Sequence, residues 1–407
     1  MNFRVSSLLF CLMLAAQPLT AAQVPSPKKN EIKKSQIELP AEPEKYELIR
    51  VMVQKPSPSL EVGTNSPYEL LDQNDQLLFR GDRIVSTRVT PAPEGIRFGR
   101  QTFKTRSLRL SIQEGEIVVG RRKYYHVLDI LKNDQGLLKA VSELSMEEYL
   151  KGVLPVEASP SWPMESLRAH AIVSRTYALF NILEKEGLPY DVAADVSSQV
   201  YGGLGTHDPR TDAAVDDTAG QVLTYQKKIF PAYFHSTCGG ATTRADQVWT
   251  LEKHPCLMGV KCDFCKGSRH YRWDGVFTLK QIEARLKKNG FNAVGVKGLS
   301  AQGRDASGRV LSFGIDTARG EKKISSNGLR MFLGPSHFKS TLITEIQKTD
   351  GGYRFRGKGW GHGVGFCQYG AKKLAELGYS HRQILDFYYP NAGITRLYPG
   401  RKAERGL

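Results

Sequence analysis

Between Tyr46 and about Lys139, apolar and polar residues alternate in short runs broken by turn residues: IRVMVQ, QLLFRG, SLRLSIQ, GEIVVG and YYHVLDI. Alternation with period two, bounded by turn signals, predicts a β-rich module of short strands. The pattern changes at Ser145. The stretch SMEEYLKGVLPVEASPSWPMESLRAHAIVSRTYAL, residues 145–179, predicts two helices joined by a stiff connector. Ser145 with Glu148 three residues later is a capping-box start, and Gly152 is expected to end the first helix. Pro155 and Pro160 then restrict the connector and hold Glu157 between them, since each fixes its own φ and biases the residue before it. The second helix is expected to start near Pro163, with Glu165 favourable in its first turn. It runs to about Gly187, because Pro189 forbids continuation.

Farther along, VSSQVYGG (196–203) reads as strand and loop, and QVLTYQKKIFPAYFHS as a hairpin around Gln226–Lys228. A cysteine-rich loop occupies Cys238 to Cys265. An amphipathic helix is expected over Leu279–Asn289, two strands over residues 296–316, and a short helix over Ser326–Leu333 stopped by Gly334 and Pro335. The Gly-rich run GKGWGHGVGFCQYGA precedes helices from about Ala371 to Leu377 and from Ser380 to about Tyr388. There is no internal repeat. The expected class is α+β: an N-terminal β-rich module followed by a mixed helix/strand catalytic core with a cysteine-rich loop.

The N-terminus changes the picture of where this chain works. Arg4 precedes an apolar run from Val5 to Ala16, and the small residues Thr20, Ala21 and Ala22 follow. That is the pattern of a secretory signal peptide over residues 1–22, with an apolar run too short for a membrane span. Residues 23–44 are polar and rich in Pro and Lys, and are expected to form a disordered tether. The β-rich module then covers 45–140, the core 141–398 and a basic tail 399–407. The expected location is the periplasm or cell envelope, with no transmembrane segment beyond the signal peptide. The formal net charge is +16, which in an exported protein suits an anionic envelope polymer. Export and the lack of a nucleic-acid-binding motif argue against nucleic acid as the partner.

Three constellations carry candidate chemistry. Glu157 is a carboxylate on a rigid segment beside a helix, which is what acid catalysis requires, although a solvated loop glutamate has the same spacing. An arginine such as Arg175 close to it would favour the ionised form, and burial the protonated form. The Gly-rich run carries Trp360, His362, Gln368 and Tyr369, combining flat faces suited to sugar rings with hydrogen-bonding heads. Its glycines permit positive φ and close approach to a ligand. It is not a phosphate loop, because the Lys-Ser/Thr ending is absent. Finally, Cys238, Cys256, Cys262 and Cys265 fall close together with His235 and His254 interleaved. Their spacing fits a structural zinc site, whereas export favours disulfides, and the CxxC pair alone also fits redox chemistry. Cys367 has no sequence neighbour and reads as a buried free thiol. No organic cofactor is expected.

These residues resemble, in order, the core of the stage II sporulation protein D (SpoIID) family, also described as amidase-enhancer or LytB-like proteins. The resemblance runs through LKGVLPVE ending at Glu157, Trp162-Pro163, LRAHA at 167–171 and SRTYA at 174–178. It continues through Asp195 and QVY at 199–201, AYFHSTCGG at 232–240 and Val248-Trp249. SGRV at 307–310, Leu329-Arg330, GWGHGVG at 359–365 and QYGA at 368–371 complete it. It covers roughly Tyr46 to Tyr398. Ala158 stands where the family often has Met, and Cys367 where Ser is common.

The resemblance implies lytic transglycosylase activity on peptidoglycan strands stripped of stem peptides, with Glu157 as the catalytic acid and Arg175 as the arginine the family needs. With that reading, Gln199, Tyr201, His235, His362, Gln368 and Tyr369 are the candidate substrate contacts. It also implies cysteine-rich or metal-binding variants around HSTCGG. A non-catalytic role is the alternative, in which the protein binds cell wall and enhances an N-acetylmuramoyl-L-alanine amidase.

Overall fold

The computed structural model describes residues 34–39, 46–196, 198–249 and 252–398. The expected signal peptide and basic tail lie outside these residues. Of the stretch expected as a tether, residues 34–39 are described and are not free chain. Ile37 and Glu38 pair antiparallel with Ile229 and Lys228, and Ile37 and Leu39 pack on the main apolar core.

The alternating segments form two antiparallel-rich sheets. In the first, seven strands lie in the order 192–193, 48–57, 138–145, 127–132, 107–112, 68–71 and 77–81. In the second, six strands lie in the order 122–124, 117–119, 60–64, 84–92, 95–98 and 101–103. Residues 107–112 illustrate the logic: Leu108, Leu110 and Ile112 are buried while their neighbours are half-exposed.

The strand Leu138–Ser145 runs directly into helix α1 (Met146–Glu157). The division expected at residue 140 therefore falls inside one strand. Ile49, Leu110 and Ile130 from the sheet share a core with Tyr149, Leu150 and Val153 of α1 and with Leu167 and Ala171 of α2 (Met164–Glu184). Ser145 caps α1, accepting from the Glu148 N–H, as the capping pattern predicts. The expected stop at Gly152 is wrong. The helix continues through Gly152 and Pro155, and Glu157 is its last residue. Gly152 serves packing instead, since a Cβ there would lie 2.3 Å from the Tyr201 ring. Glu157 is thus presented by a helix end rather than by a proline-bracketed loop.

Helix α3 (Pro209–Asp217) was not legible from apolar periodicity, because its sequence PRTDAAVDD is mostly polar. Its cap is nonetheless regular: Asp208 accepts from the Arg210 N–H, and proline occupies the first turn. Helices α4 (Leu279–Lys288), α5 (Ser326–Leu333), α6 (Gln368–Glu376) and α7 (His381–Tyr388) lie close to expectation. Helix α6 starts three residues earlier than Ala371, which puts Gln368 and Tyr369 in its first turn.

Two further large cores, and a small cluster of Met52, Val141 and Ala193, lie among the described residues. One gathers Cys238, Cys262, Cys265, Cys367 and Phe366 with residues of α6 and α7. The other joins strands 272–278, 343–349 and 352–358 with strands 296–304, 310–317 and 320–325, together with α4 and α5. The C-terminal strand Gly393–Arg396 pairs with Gln221–Tyr225, tying the end of the described chain to its middle. No helix among the described residues is long and apolar enough to cross a membrane.

Candidate functional site

A groove of about 810 Å³ lies where the end of α1, the loop 198–200, the Gly-rich run and α5 meet. Glu157 is the only carboxylate among its described lining residues. Oε1 of Glu157 accepts from the Val200 backbone N–H at 3.0 Å, and Oε2 accepts from Nε2 of Gln368 at 3.3 Å. Burial pushes its pKa above the ordinary carboxylate value, and these two donors pull it back only in part. The negative end of α1 also disfavours charge at its last residue. A carboxyl group whose surroundings favour the protonated form is suited to donating a proton.

The expected contest between burial and Arg175 does not arise. Arg175 is outside the groove, fully buried on α2. Its Nε and Nη2 meet the carboxylate of Glu147 at 2.9 and 2.6 Å, and its remaining donors reach the carbonyls of Gln221 and Val215. Burial pushes the pKa of Glu147 up, but the Arg175 guanidinium and the donors of Gly220 and Tyr398 outweigh it and hold the group low. Glu147 and Glu157 occupy opposite ends of α1, about ten residues and so ~15 Å apart. Arg175 therefore anchors the helix that carries Glu157 and does not touch its carboxyl group.

Gln199 and Tyr201 are also outside the groove. Both are fully buried. Gln199 accepts from the Tyr149 hydroxyl at 3.0 Å and donates to the Ser174 carbonyl. The Tyr201 ring packs on Gly152 and lies 5.3 Å from that of Tyr149. Within this motif Ser198 and Val200, rather than the expected Gln199 and Tyr201, face the groove, while 199 and 201 grip the core.

His235, His362, Gln368 and Tyr369 do line the groove. The strand Phe234–His235 runs parallel to Phe366–Cys367, and Thr237 exchanges backbone hydrogen bonds with Trp360. The Gly-rich run is laced so tightly here that side chains are excluded. Gly361 (φ 118°) and Gly363 (φ 87°) would drive a Cβ to 2.6 Å from the His235 Cβ and 2.4 Å from the Arg309 Nε. Nδ1 of His235 lies 3.0 Å from the Val364 carbonyl and so carries the proton, leaving Nε2 as an acceptor with no partner among the described residues. Nδ1 of His362 accepts from the Val364 N–H. Burial lowers both pKa values, that of His235 to about 3, and both rings are neutral.

The walls are aromatic. Tyr233 stacks on Trp249 at 4.4 Å, Trp162 meets Tyr369 edge-on at 5.1 Å, and Trp360 meets His270 at 4.3 Å. Rings with polar tips suit an amphipathic ligand such as a sugar chain. Sequence reasoning missed Trp249, His270 and Arg330 as groove residues. For Arg330 a signal existed: it occupies a position of the apolar stripe of α5, with Leu329 and Leu333.

Beneath the groove, Sγ atoms of Cys238, Cys262, Cys265 and Cys367 all lie within 4.8 Å of one another. The expected set changes by one member. Cys367 joins and Cys256 does not; burial pushes the Cys256 thiol up to about 12. Cys238 and Cys265 are 3.3 Å apart, too far for a disulfide, and no disulfide links the described cysteines. Tetrahedral zinc with ~2.3 Å bonds needs sulfurs roughly 3.8 Å apart, which these distances bracket. The Cys238 N–H donates to the Cys367 Sγ at 3.2 Å, and buried Arg309 donates to the Cys238 carbonyl. Both features suit a cluster bearing thiolate charge. The cluster fastens the segment after His235 to the residue before Gln368, two sides of the groove floor.

Comparison with known proteins follows the same lines. A family model described as stage II sporulation protein (SpoIID) matches residues 134–225, and a model for a domain of unknown function matches 246–365. The groove takes Glu157, Tyr177 and Val200 from the first region and Trp249, Arg330 and His362 from the second. An uncharacterised protein of Brachyspira hyodysenteriae is 35% identical over 284 residues, covering 70% of this chain and 75% of that one. The amidase enhancer of Bacillus subtilis is 31% identical over 292 residues, 60% of this chain and only 40% of its own. Stage II sporulation protein D of Bacillus subtilis is 26% identical over 274 residues, covering 63% and 76%.

Proposed function

The chain belongs to the stage II sporulation protein D family, and from that membership and the Glu157 groove we propose that it is a peptidoglycan lytic transglycosylase of the cell envelope. It cleaves the bond between N-acetylmuramic acid and N-acetylglucosamine in strands stripped of stem peptides. The observation that carries the reading is a carboxyl group, its pKa raised by burial and alone among the described lining residues, in an aromatic-walled groove.

Glu157 as general acid protonates the glycosidic oxygen as that bond breaks, and the muramic acid C1 acquires oxocarbenium character. The carboxylate so formed then takes the proton of the C6 hydroxyl, whose oxygen closes on C1 to leave a 1,6-anhydro end. One carboxyl group suffices because the nucleophile is internal, whereas glycosidases that activate water normally use two. Acid–base help of this kind contributes ~10²–10⁴-fold. Positioning by the groove must supply much of the rest. The Val200 N–H and Gln368 amide aim the carboxyl group, the neutral His235 offers an acceptor, and Tyr369, Trp162 and Trp249 offer faces for sugar rings. The four cysteines 238, 262, 265 and 367 would hold zinc, which when bound would supply structural cross-linking of the groove floor.

The test is product analysis: purified protein and stripped glycan should yield anhydro-muramic ends without any other enzyme. The likeness to an amidase enhancer supports a second reading, a glycan-binding partner of a cell-wall amidase. That reading predicts no anhydro ends from the protein alone, and faster peptide release only when an amidase is added.

A further inference from the structure

The groove holds a charge that the acid–base cycle does not use. Arg330 sits on α5 among Ser326, Leu329 and Leu333, the buried face of that helix. It is only 7% exposed, yet it lines the groove together with Asn327, Pro335 and Trp360. Its Nε donates to the Lys339 carbonyl at 3.0 Å, and Nη1 lies 3.5 Å from the Asn327 Oδ1. Among the described residues it forms no ion pair with a carboxylate. The other buried arginines are held within the protein: Arg175 is matched by Glu147, and Arg309 donates to the Ala241 and Cys238 carbonyls and to the Ser307 hydroxyl. A guanidinium taken out of water without a counter-charge is strongly unfavourable, so such groups are ordinarily paired or bind an anion.

Two further observations place that charge on the ligand side. His235 and His362, both in the groove, are each held lower in pKa in part by Arg330, so its field reaches the cavity. The Glu157 carboxyl group bonds to the Val200 N–H and the Gln368 amide, and Arg330 makes no hydrogen bond or ion pair with it. Arg269, at the groove rim, also has no carboxylate partner among the described residues and bonds only to the neighbouring His270 ring. With the histidines neutral, the groove carries two cations against one carboxyl group.

We propose that Arg330 is a specificity-determining residue that binds a carboxylate carried by the sugar chain. Resting on the glycan reading above, this group is the free lactyl carboxylate that N-acetylmuramic acid exposes once its stem peptide is gone. The planar fork of a guanidinium matches a carboxylate through two parallel N–H donors, which an ammonium does not reproduce. In a peptide-bearing strand the same carbon is an amide. It has no charge to offer Arg330, and it brings a chain of residues into a wall closed by Pro335 and Trp360. The preference for stripped strands is thereby built into one buried cation.

The experiment uses the full chain and three substrates: stripped glycan, the same glycan with its lactyl carboxylates converted to methylamides, and chitin oligomers that lack the lactyl group. Initial rates of anhydro-end formation and binding by the Glu157→Gln variant are both read. Wild type should favour the free acid over the methylamide by ~10–100-fold, the range expected for a hydrogen-bonded charge. Chitin oligomers should bind like the methylamide. Arg330→Gln should bring the free acid down to the methylamide level and leave the methylamide unchanged, with Arg330→Lys in between. Equal handling of acid and methylamide by wild type overturns the proposal, and needs no variant to fold. So does an Arg330→Gln variant that loses both substrates equally. Carboxylate-dependent binding with no anhydro ends would sustain Arg330 and sink the lyase reading. No binding to any glycan would sink both.

Discussion

Gln368 holds its side-chain Nε2 3.3 Å from Oε2 of Glu157, although 211 residues separate them in the chain. The contact joins the last residue of α1 to the first turn of α6, and it acts on the ionisation of the group we propose as the acid. The amide donates to the carboxylate, so it favours the charged form and lowers the pKa that burial raises. Gln368→Leu should therefore raise it further. Because the reaction begins from protonated Glu157, the alkaline limb of the rate–pH profile should move to higher pH in this variant. Single-turnover rates across pH test this. An unmoved limb would mean that the amide does not act on the carboxyl group.

Arg175 should matter through the fold. Truncating it to Met leaves Glu147 enclosed without its cation, a loss of about 3–5 kcal/mol for a broken buried pair. Thermal unfolding should register that loss. The protein that remains folded at low temperature should keep the wild-type position of its alkaline limb, since no Arg175 atom reaches Glu157. A shifted limb with unchanged stability would contradict this placement.

How much of this was legible beforehand differs by residue. Ser145 and Ser380 announced helix starts because capping is a local matter of side chain and nearby N–H. The alternating strands were legible for the same reason. Gly152 misled, because a glycine that makes room for Tyr201 and a glycine that ends a helix look alike in one dimension. Gln199 and Tyr201 missed by a single residue, since which side chains of a loop face the groove is set by what packs on it. Cys367 joined the thiol cluster from more than 100 residues beyond the CxxC pair, through the parallel pairing of 234–235 with 366–367. Arg330 was hardest of all, because an arginine in an apolar stripe acquires meaning only when its missing carboxylate becomes visible.

The thiol cluster makes a sharp distinction between cysteines. Elemental analysis of purified wild type should find stoichiometric zinc. Cys367→Ser and Cys238→Ser should lose it and melt lower, while Cys256→Ser should keep it. Peptide mapping that recovers a Cys238–Cys265 disulfide in active protein would contradict the metal reading.

His170 should make the fold acid-sensitive. It is 1% exposed, neither ring nitrogen has a partner, and it packs on Phe234 and Phe366. Burial drops its pKa from 6.5 to about 3. Between those values the unfolded chain takes up a proton that the folded chain refuses. Stability is therefore full above about pH 6.5 and falls as pH drops toward 3, at up to ~1.4 kcal/mol per unit. His235, also lowered to about 3, adds to the slope with the same sign. In His170→Phe, proton uptake on unfolding at pH 5 should fall by about one. Denaturant midpoints measured against pH would reveal an unchanged slope if this is wrong.

The central claim is that the Glu157 carboxyl group performs the cleavage. Mass spectrometry of stripped glycan incubated with wild type and with Glu157→Gln tests it most directly. The predicted result is 1,6-anhydro-muramic ends from wild type alone, and intact strands with retained binding from Glu157→Gln. Anhydro ends from the Gln variant at the wild-type rate, or reducing hydrolysis products from wild type, would contradict the account.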